Sequence, residues 1–121
     1  MNVWDLHCDN LSELRRAERA GAPKCFARND LHIDLEKLQK GGYLLQCFAA
    51  FVNLADPTAG ADPLVTALEE IDVFKRIMET YPEAIAPVYT AADIRRNADA
   101  GKISGMLTIE EGGCCKGSLG V

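Results

Sequence analysis

The chain has 121 residues and a formal net charge of −5, enough for one domain with a core of its own. Hydrophobic residues make up 48% and charged ones 26%, a globular mixture whose acidic balance argues against a nucleic-acid partner. No apolar run approaches the roughly 20 residues that span a bilayer, and "MNVWDLHCDN" has no basic region leading into an apolar run, so neither a membrane span nor a secretory signal is expected and the expected location is cytoplasmic.

Residues 2–9 read as a first strand. "LSELRRAERAG" reads as a helix closed by Gly21, and "DLEKLQKGG" as a short helix ended by glycines. "YLLQCFAAFV", residues 43–52, is an almost unbroken apolar run, the pattern of a strand buried on both faces in a parallel sheet. The clearest helix covers 61–82. Asp62 can cap it and Pro63 takes its first position. Leu64, Leu68, Ile71, Phe74 and Met78 recur at spacings of three and four, which predicts its core-facing stripe. "TAADIRRNADAG" is a further short helix with Thr90 as cap and Gly101 as stop. Residues 103–110 form the last clear strand, and "GGCCKGSLGV" reads as a glycine-rich loop opening another helix. About three strands alternating with helices imply βαβ units and a parallel sheet. A complete (β/α)8 barrel needs roughly 250 residues, so the pattern matches the first part of one.

The chemistry concentrates at two strand ends. By the period-2 alternation of a strand, Asp5, His7 and Asp9 share one face and Trp4, Leu6 and Cys8 the other. His7 and Asp9 are then about 7 Å apart at Cα, from roughly 3.3 Å per residue, and can converge on one ion. An imidazole nitrogen and a carboxylate oxygen are ligands that a catalytic zinc takes. In "GMLTIEEGG" the apolar strand ends in two acids; Met106, Thr108 and Glu110 share one face, Leu107, Ile109 and Glu111 the other. Carboxyl ends of parallel strands are where α/β folds keep their chemistry. Gly112 and Gly113 permit a tight turn beside it.

"DLHCDNL", "HIDLEKLQKGGYLLQCFAAFV" and "GMLTIEEGGCCKGSLGV", in this order and spacing, resemble the renal-type (membrane) dipeptidase family of zinc metallopeptidases. That family belongs to the amidohydrolase-like TIM barrels. The resemblance covers essentially the whole chain. It implies an α/β fold, a partial (β/α)8 TIM barrel, with 1–121 as the N-terminal part of a dipeptidase-like domain. It also implies that His7 and Asp9 bind a first zinc and that Glu110 bridges two zincs. Glu110 is preferred to Glu111 because its distance to "GSLG" matches the family's, and strand alternation agrees if Thr108 faces the barrel axis. The family hydrolyses dipeptides, often with a D-residue at the C-terminal position, by the attack of a metal-activated water on the scissile carbonyl.

Two departures follow from length. The family's second zinc site takes two histidines from the middle strands, and its substrate-contacting histidine and late aspartate come later still. None of these has a counterpart before Val121. His32, between Asp30 and Asp34, precedes the second strand and reads as a surface or capping residue. The expectation is a half-site holding one or two zinc ions and an isolated chain without peptidase activity. The alternative is a short non-catalytic α/β module that binds a metal or a partner. Unpaired strand edges predict self-association or pairing with a complementary barrel segment. A doubly wound domain binding an anion lacks support, since no G-x-G-x-x-G or P-loop is present and "EEGG" is acidic.

Among the other residues, Cys8 reads as buried filler. Asp5 reads as a support for His7 or as an ordinary hydrogen-bonded acid. Gln46 must find a partner if buried. The five cysteines are odd in number and contain no C-x-x-C pair, which argues for reduced thiols. Cys114 and Cys115, adjacent and just past the glycine turn, leave a soft-metal or redox role open beside a structural one.

Overall fold

The turn chemistry written into the sequence sets the order of elements. In the computed structural model, which describes residues 2–55, 62–118 and 120, the chain runs β1 (Val3–Asp5), α1 (Asn10–Arg19), α2 (Leu35–Gly41), β2 (Tyr43–Ala50), α3 (Pro63–Thr80), β3 (Ile85–Pro87), α4 (Ala91–Asp99) and β4 (Ile103–Ile109), followed by a 3₁₀ turn at Gly112–Cys115. Ala61 in the predicted third helix, and Leu119 and Val121 in the helix expected at the end, lie outside the described residues. Asp34 caps α2 by accepting the Lys37 N–H, and Gly42 closes it in the left-handed region. Asp62 accepts from the Leu64 N–H with Pro63 in the first turn of α3. Thr90 and Asp93 form a reciprocal capping box on α4.

All four strands are parallel, in the order β1-β2-β4-β3. With β3 set aside, they follow chain order as in a (β/α) barrel, and the fold is a partial barrel of this kind. The fourth strand was not expected from the sequence. It is three residues long and ends at Pro87, too short to show a period and without an N–H at its last position. It pairs with Ile103, Ser104 and Gly105 and no further along β4.

The central strand β2 is buried from Leu45 to Ala50. Its two faces meet different cores. Phe48 packs with Leu11 and Leu14 of α1, Leu38 of α2, and Val73, Phe74 and Ile77 of α3. Phe26 and Phe74 flank the Phe48 ring edge-on, at centroid distances of 5.9 and 5.8 Å. The opposite face carries Leu45 and Cys47, which pack with Met106 of β4, Val88 and Ile94 of α4.

The buried face of α3 differs from the predicted stripe. It is made by Thr66, Ala67, Glu70, Val73, Phe74, Ile77 and Met78, while Leu68 is exposed. Phe74 and Met78 belong to both sets. Two polar residues, Thr66 and Glu70, occupy inward positions and mask the true period. The first strand is also shorter than the predicted 2–9. It stops at Asp5, with a register shift between Val3 and Trp4, because the chain must already turn to start α1 at Asn10. Among the described residues no helix is long and apolar enough to cross a membrane.

Candidate metal centre

His7 and Asp9 lie beyond β1, in the four residues that join it to α1. They therefore lie past the last residue of the strand, yet the alternation persists in burial: His7 and Asp9 are exposed and Cys8 between them is buried. Asp9 is the N-cap residue of α1, yet its carboxylate makes no capping hydrogen bond. Its Oδ1 lies 3.2 Å from His7 Nε2 instead. The backbone on both sides is tied down. The Ala49 N–H donates to the Cys8 carbonyl at 3.0 Å, and Ser12 Oγ donates to the Asp9 carbonyl at 2.9 Å. Asp5 Oδ1 accepts from the His7 backbone N–H at 3.2 Å, so its support reaches the main chain of His7. Cys8, between the two polar residues, is buried in the main core, as expected of filler, and burial pushes its thiol up to about 12.

Glu110 directly follows β4, and its N–H donates to the Ala50 carbonyl at 3.1 Å, extending the β2–β4 pairing. Its Oε2 is 3.7 Å from His7 Nε2. Ligand atoms of His7, Asp9 and Glu110 all lie within 4.8 Å of one another, and all three residues are exposed. Glu111 is not brought to this cluster. Its Oε2 accepts from the Gly113 N–H at 2.7 Å, capping the 3₁₀ turn, and its Oε1 is buried without a hydrogen-bond partner among the described residues. Thr108 pairs with Ala49 and its hydroxyl donates to the Phe48 carbonyl at 3.3 Å.

The donor set fits a divalent cation. Two ligands about 2.1 Å from a tetrahedral zinc lie about 3.4 Å apart; the His7–Asp9 and His7–Glu110 separations of 3.2 and 3.7 Å bracket that value. Two carboxylates against one imidazole leave net negative charge for a cation to neutralise. Exposure of all three side chains leaves room for water and substrate as further ligands.

Beside the cluster is a cavity of about 250 Å³ lined by Asp5, His7, Asp9, Glu13, Leu31 and His32, among others. His32 is exposed there and is not a member of the ligand cluster. Behind the cluster lies a residue that the sequence analysis missed. Glu70 of α3 is 1% exposed, and its Oε2 accepts the Phe51 N–H at 2.8 Å just past β2. Burial pushes its carboxyl up to about 7, the Phe51 hydrogen bond and the Arg15 charge opposing and the Asp9 charge reinforcing the shift. The signal available was a glutamate one turn before Val73 and Phe74 on the helix. Gln46 is fully buried; its Nε2 donates to the Cys47 carbonyl at 2.9 Å, while its Oε1 has no partner among the described residues.

The model of one protein family, membrane dipeptidase (peptidase family M19), matches residues 1–121. Among solved structures, a dipeptidase described as a metallopeptidase of family M19 superposes with a TM-score of 0.76 at 22% identity, over 94% of this chain and 38% of that one. A metallopeptidase from Rhodobacter sphaeroides, solved with a phosphinate mimic of the dipeptide L-Ala-D-Ala, gives a TM-score of 0.72 at 22% identity, over 91% of this chain and 38% of its own. The chain thus shares their fold and spans 38% of the length of each.

Proposed function

This chain belongs to the membrane dipeptidase family of metallopeptidases, and from that premise we propose that His7, Asp9 and Glu110 are ligands of a zinc centre serving dipeptide hydrolysis. The observation that carries this reading is the convergence of one imidazole and two carboxylates from two separate strand ends within 4.8 Å. A bound zinc supplies Lewis acidity, polarising a carbonyl and making hydroxide available near neutral pH. The chain's own residues set the rest. The β2–β4 pairing fixes the Glu110 backbone, the start of α1 fixes Asp9, and Asp5 holds the main chain at His7.

The sequence contains two histidines, and His32 stands apart from the ligand cluster. The chain therefore carries the N-terminal half of a site for one or two ions, and the isolated 121 residues bind metal without turning over dipeptides. Dipeptides, including those with a C-terminal D-residue, are the substrates of the complete site. The complete site requires a complementary barrel segment, and the isolated chain covers its open sheet edges by self-association.

Metal content tests the ligand assignment. Wild-type chain dialysed against zinc and then against metal-free buffer is expected to retain the ion, and His7→Ala to lose it. The loss in affinity should exceed the roughly 10–100-fold that outer-shell partners cost. Equal zinc retention by wild type and His7→Ala would sink the assignment.

A further inference from the structure

Cys114 and Cys115 follow Glu110 on the 3₁₀ turn and take no part in the metal cluster. Cys114 is 5% exposed and packs with Val52 and Ala67, while Cys115 is half-buried against the same group. Cys114 Sγ lies 3.9 Å from the Glu111 carbonyl oxygen. Burial first, then the neighbouring Cys115 thiol and the Glu111 charge, raise the Cys114 thiol above its ordinary value. Oxidant from solvent therefore meets Cys115 first and Cys114 second.

We propose that Cys114 and Cys115 are a vicinal dithiol that closes reversibly to a disulfide by exchange with a low-molecular-weight disulfide such as oxidised glutathione. The Cys115 thiolate attacks one sulfur of the oxidant, forming a mixed disulfide and releasing one glutathione thiolate. Cys114 gives up its proton and attacks the Cys115 sulfur, forming the Cys114–Cys115 bond and releasing the second glutathione. Two protein thiols are oxidised, one disulfide is reduced, and both protons end on glutathione. Adjacent Cα atoms sit about 3.8 Å apart, below the usual 4.4–6.8 Å of a disulfide, so the bond is strained and readily reduced. Strained disulfides of this kind have the more oxidising potentials of labile, switchable bonds.

The test is independent of peptidase activity. Trypsin cuts after Lys102 and Lys116 and releases residues 103–116, whose cysteines are Cys114 and Cys115 alone. Folded wild-type chain, with circular dichroism recorded before and after, is treated with oxidised glutathione, alkylated, digested and weighed. The expected peptide is lighter by two hydrogens and carries no alkyl group; dithiothreitol before alkylation restores both sites. Cys25 reports that the oxidant is competent. It is exposed, and the Tyr81 hydroxyl and the Ala27 N–H lower its thiol from the ordinary value, so it takes up glutathione as a mixed disulfide. Residues 103–116 returning doubly alkylated, or with glutathione held on Cys115, from a sample whose Cys25 is glutathionylated would overturn the proposal. In Cys114→Ser the mixed disulfide at Cys115 should accumulate; an unmodified Cys115 there overturns the order of attack.

Discussion

Asp9 occupies the position where a helix usually asks its side chain to cap, and turns that carboxylate to His7 instead. The proposed ligand geometry thus stands in place of a cap whose loss costs about 1 kcal/mol. The two glutamates after β4 divide the remaining work. Glu110→Gln should weaken zinc binding at least about tenfold, since a neutral amide replaces an anionic donor, while Glu111→Gln should leave affinity within about twofold and lower the melting temperature through the 3₁₀ turn that Glu111 caps; calorimetric zinc titration beside thermal melts separates them. Equal effects on affinity would mean that the wrong carboxylate is assigned. Glu70 predicts a pH effect on stability in the metal-free chain. Its folded value of about 7 lies above the ordinary 4.5, so its contribution is fully present below about pH 4.5 and is lost as pH rises through about 7. Glu70→Gln keeps an acceptor for the Phe51 N–H without the ionisation. Its melting temperature should gain on wild type by about 3 °C or more between pH 5 and pH 8; parallel curves across that range would count against it. The H-x-D spacing was legible in the sequence, and the alternation around it is visible in burial, with His7 and Asp9 exposed and Cys8 buried, although β1 itself ends at Asp5.

At the scale of elements, capping residues were the most legible feature. The expected caps Asp62 and Thr90 each accept from the helix they precede, as does Asp34, which the sequence reading had not named, because a cap depends on one side chain and the next two or three N–H groups. What escaped depended on tertiary partners. β3 exists through its pairing with Ile103–Gly105, and nothing within Ile85–Pro87 announces it. On α3 the predicted stripe took Leu68 for core and passed over Val73 and Ile77, because Thr66 and Glu70 made the inward face look polar. The corrected face can be tested directly. Phe74, 5% exposed and packed edge-on against Phe48, should cost about 3–5 kcal/mol as Phe74→Ala. Leu68, 55% exposed, should cost no more than about 0.5 kcal/mol as Leu68→Ala. Urea melts of the two variants decide between the stripes; a large loss at Leu68 would restore the predicted one.

For the whole molecule, the decisive feature is that the sheet formed by the described residues does not close. Among them, β1 pairs on one side with β2, and β3 leaves Met106 to Ile109 of β4 without a partner strand on the outer side. Beside these edges Trp4, Leu6 and Ile109 are 55%, 71% and 57% exposed. Scattered apolar residues on a surface need no explanation, but apolar residues along unpaired parallel edges offer both hydrogen bonds and contact area to another chain. A barrel fold removes such edges by closure. We propose that a second copy of the chain covers the edges of this partial barrel. Sedimentation velocity over a concentration series should show the weight-average mass rising with concentration. Leu6→Lys with Ile109→Lys places a solvated charge at each edge and should weaken association at least about tenfold, equivalent to about 1.4 kcal/mol. Neither residue contributes a ligand atom to the metal cluster, so zinc retention should survive the double substitution. A wild-type chain that sediments as a monomer at every concentration would show instead that the folded half-barrel tolerates its open edges, and the case for association would fall while the metal assignment stood.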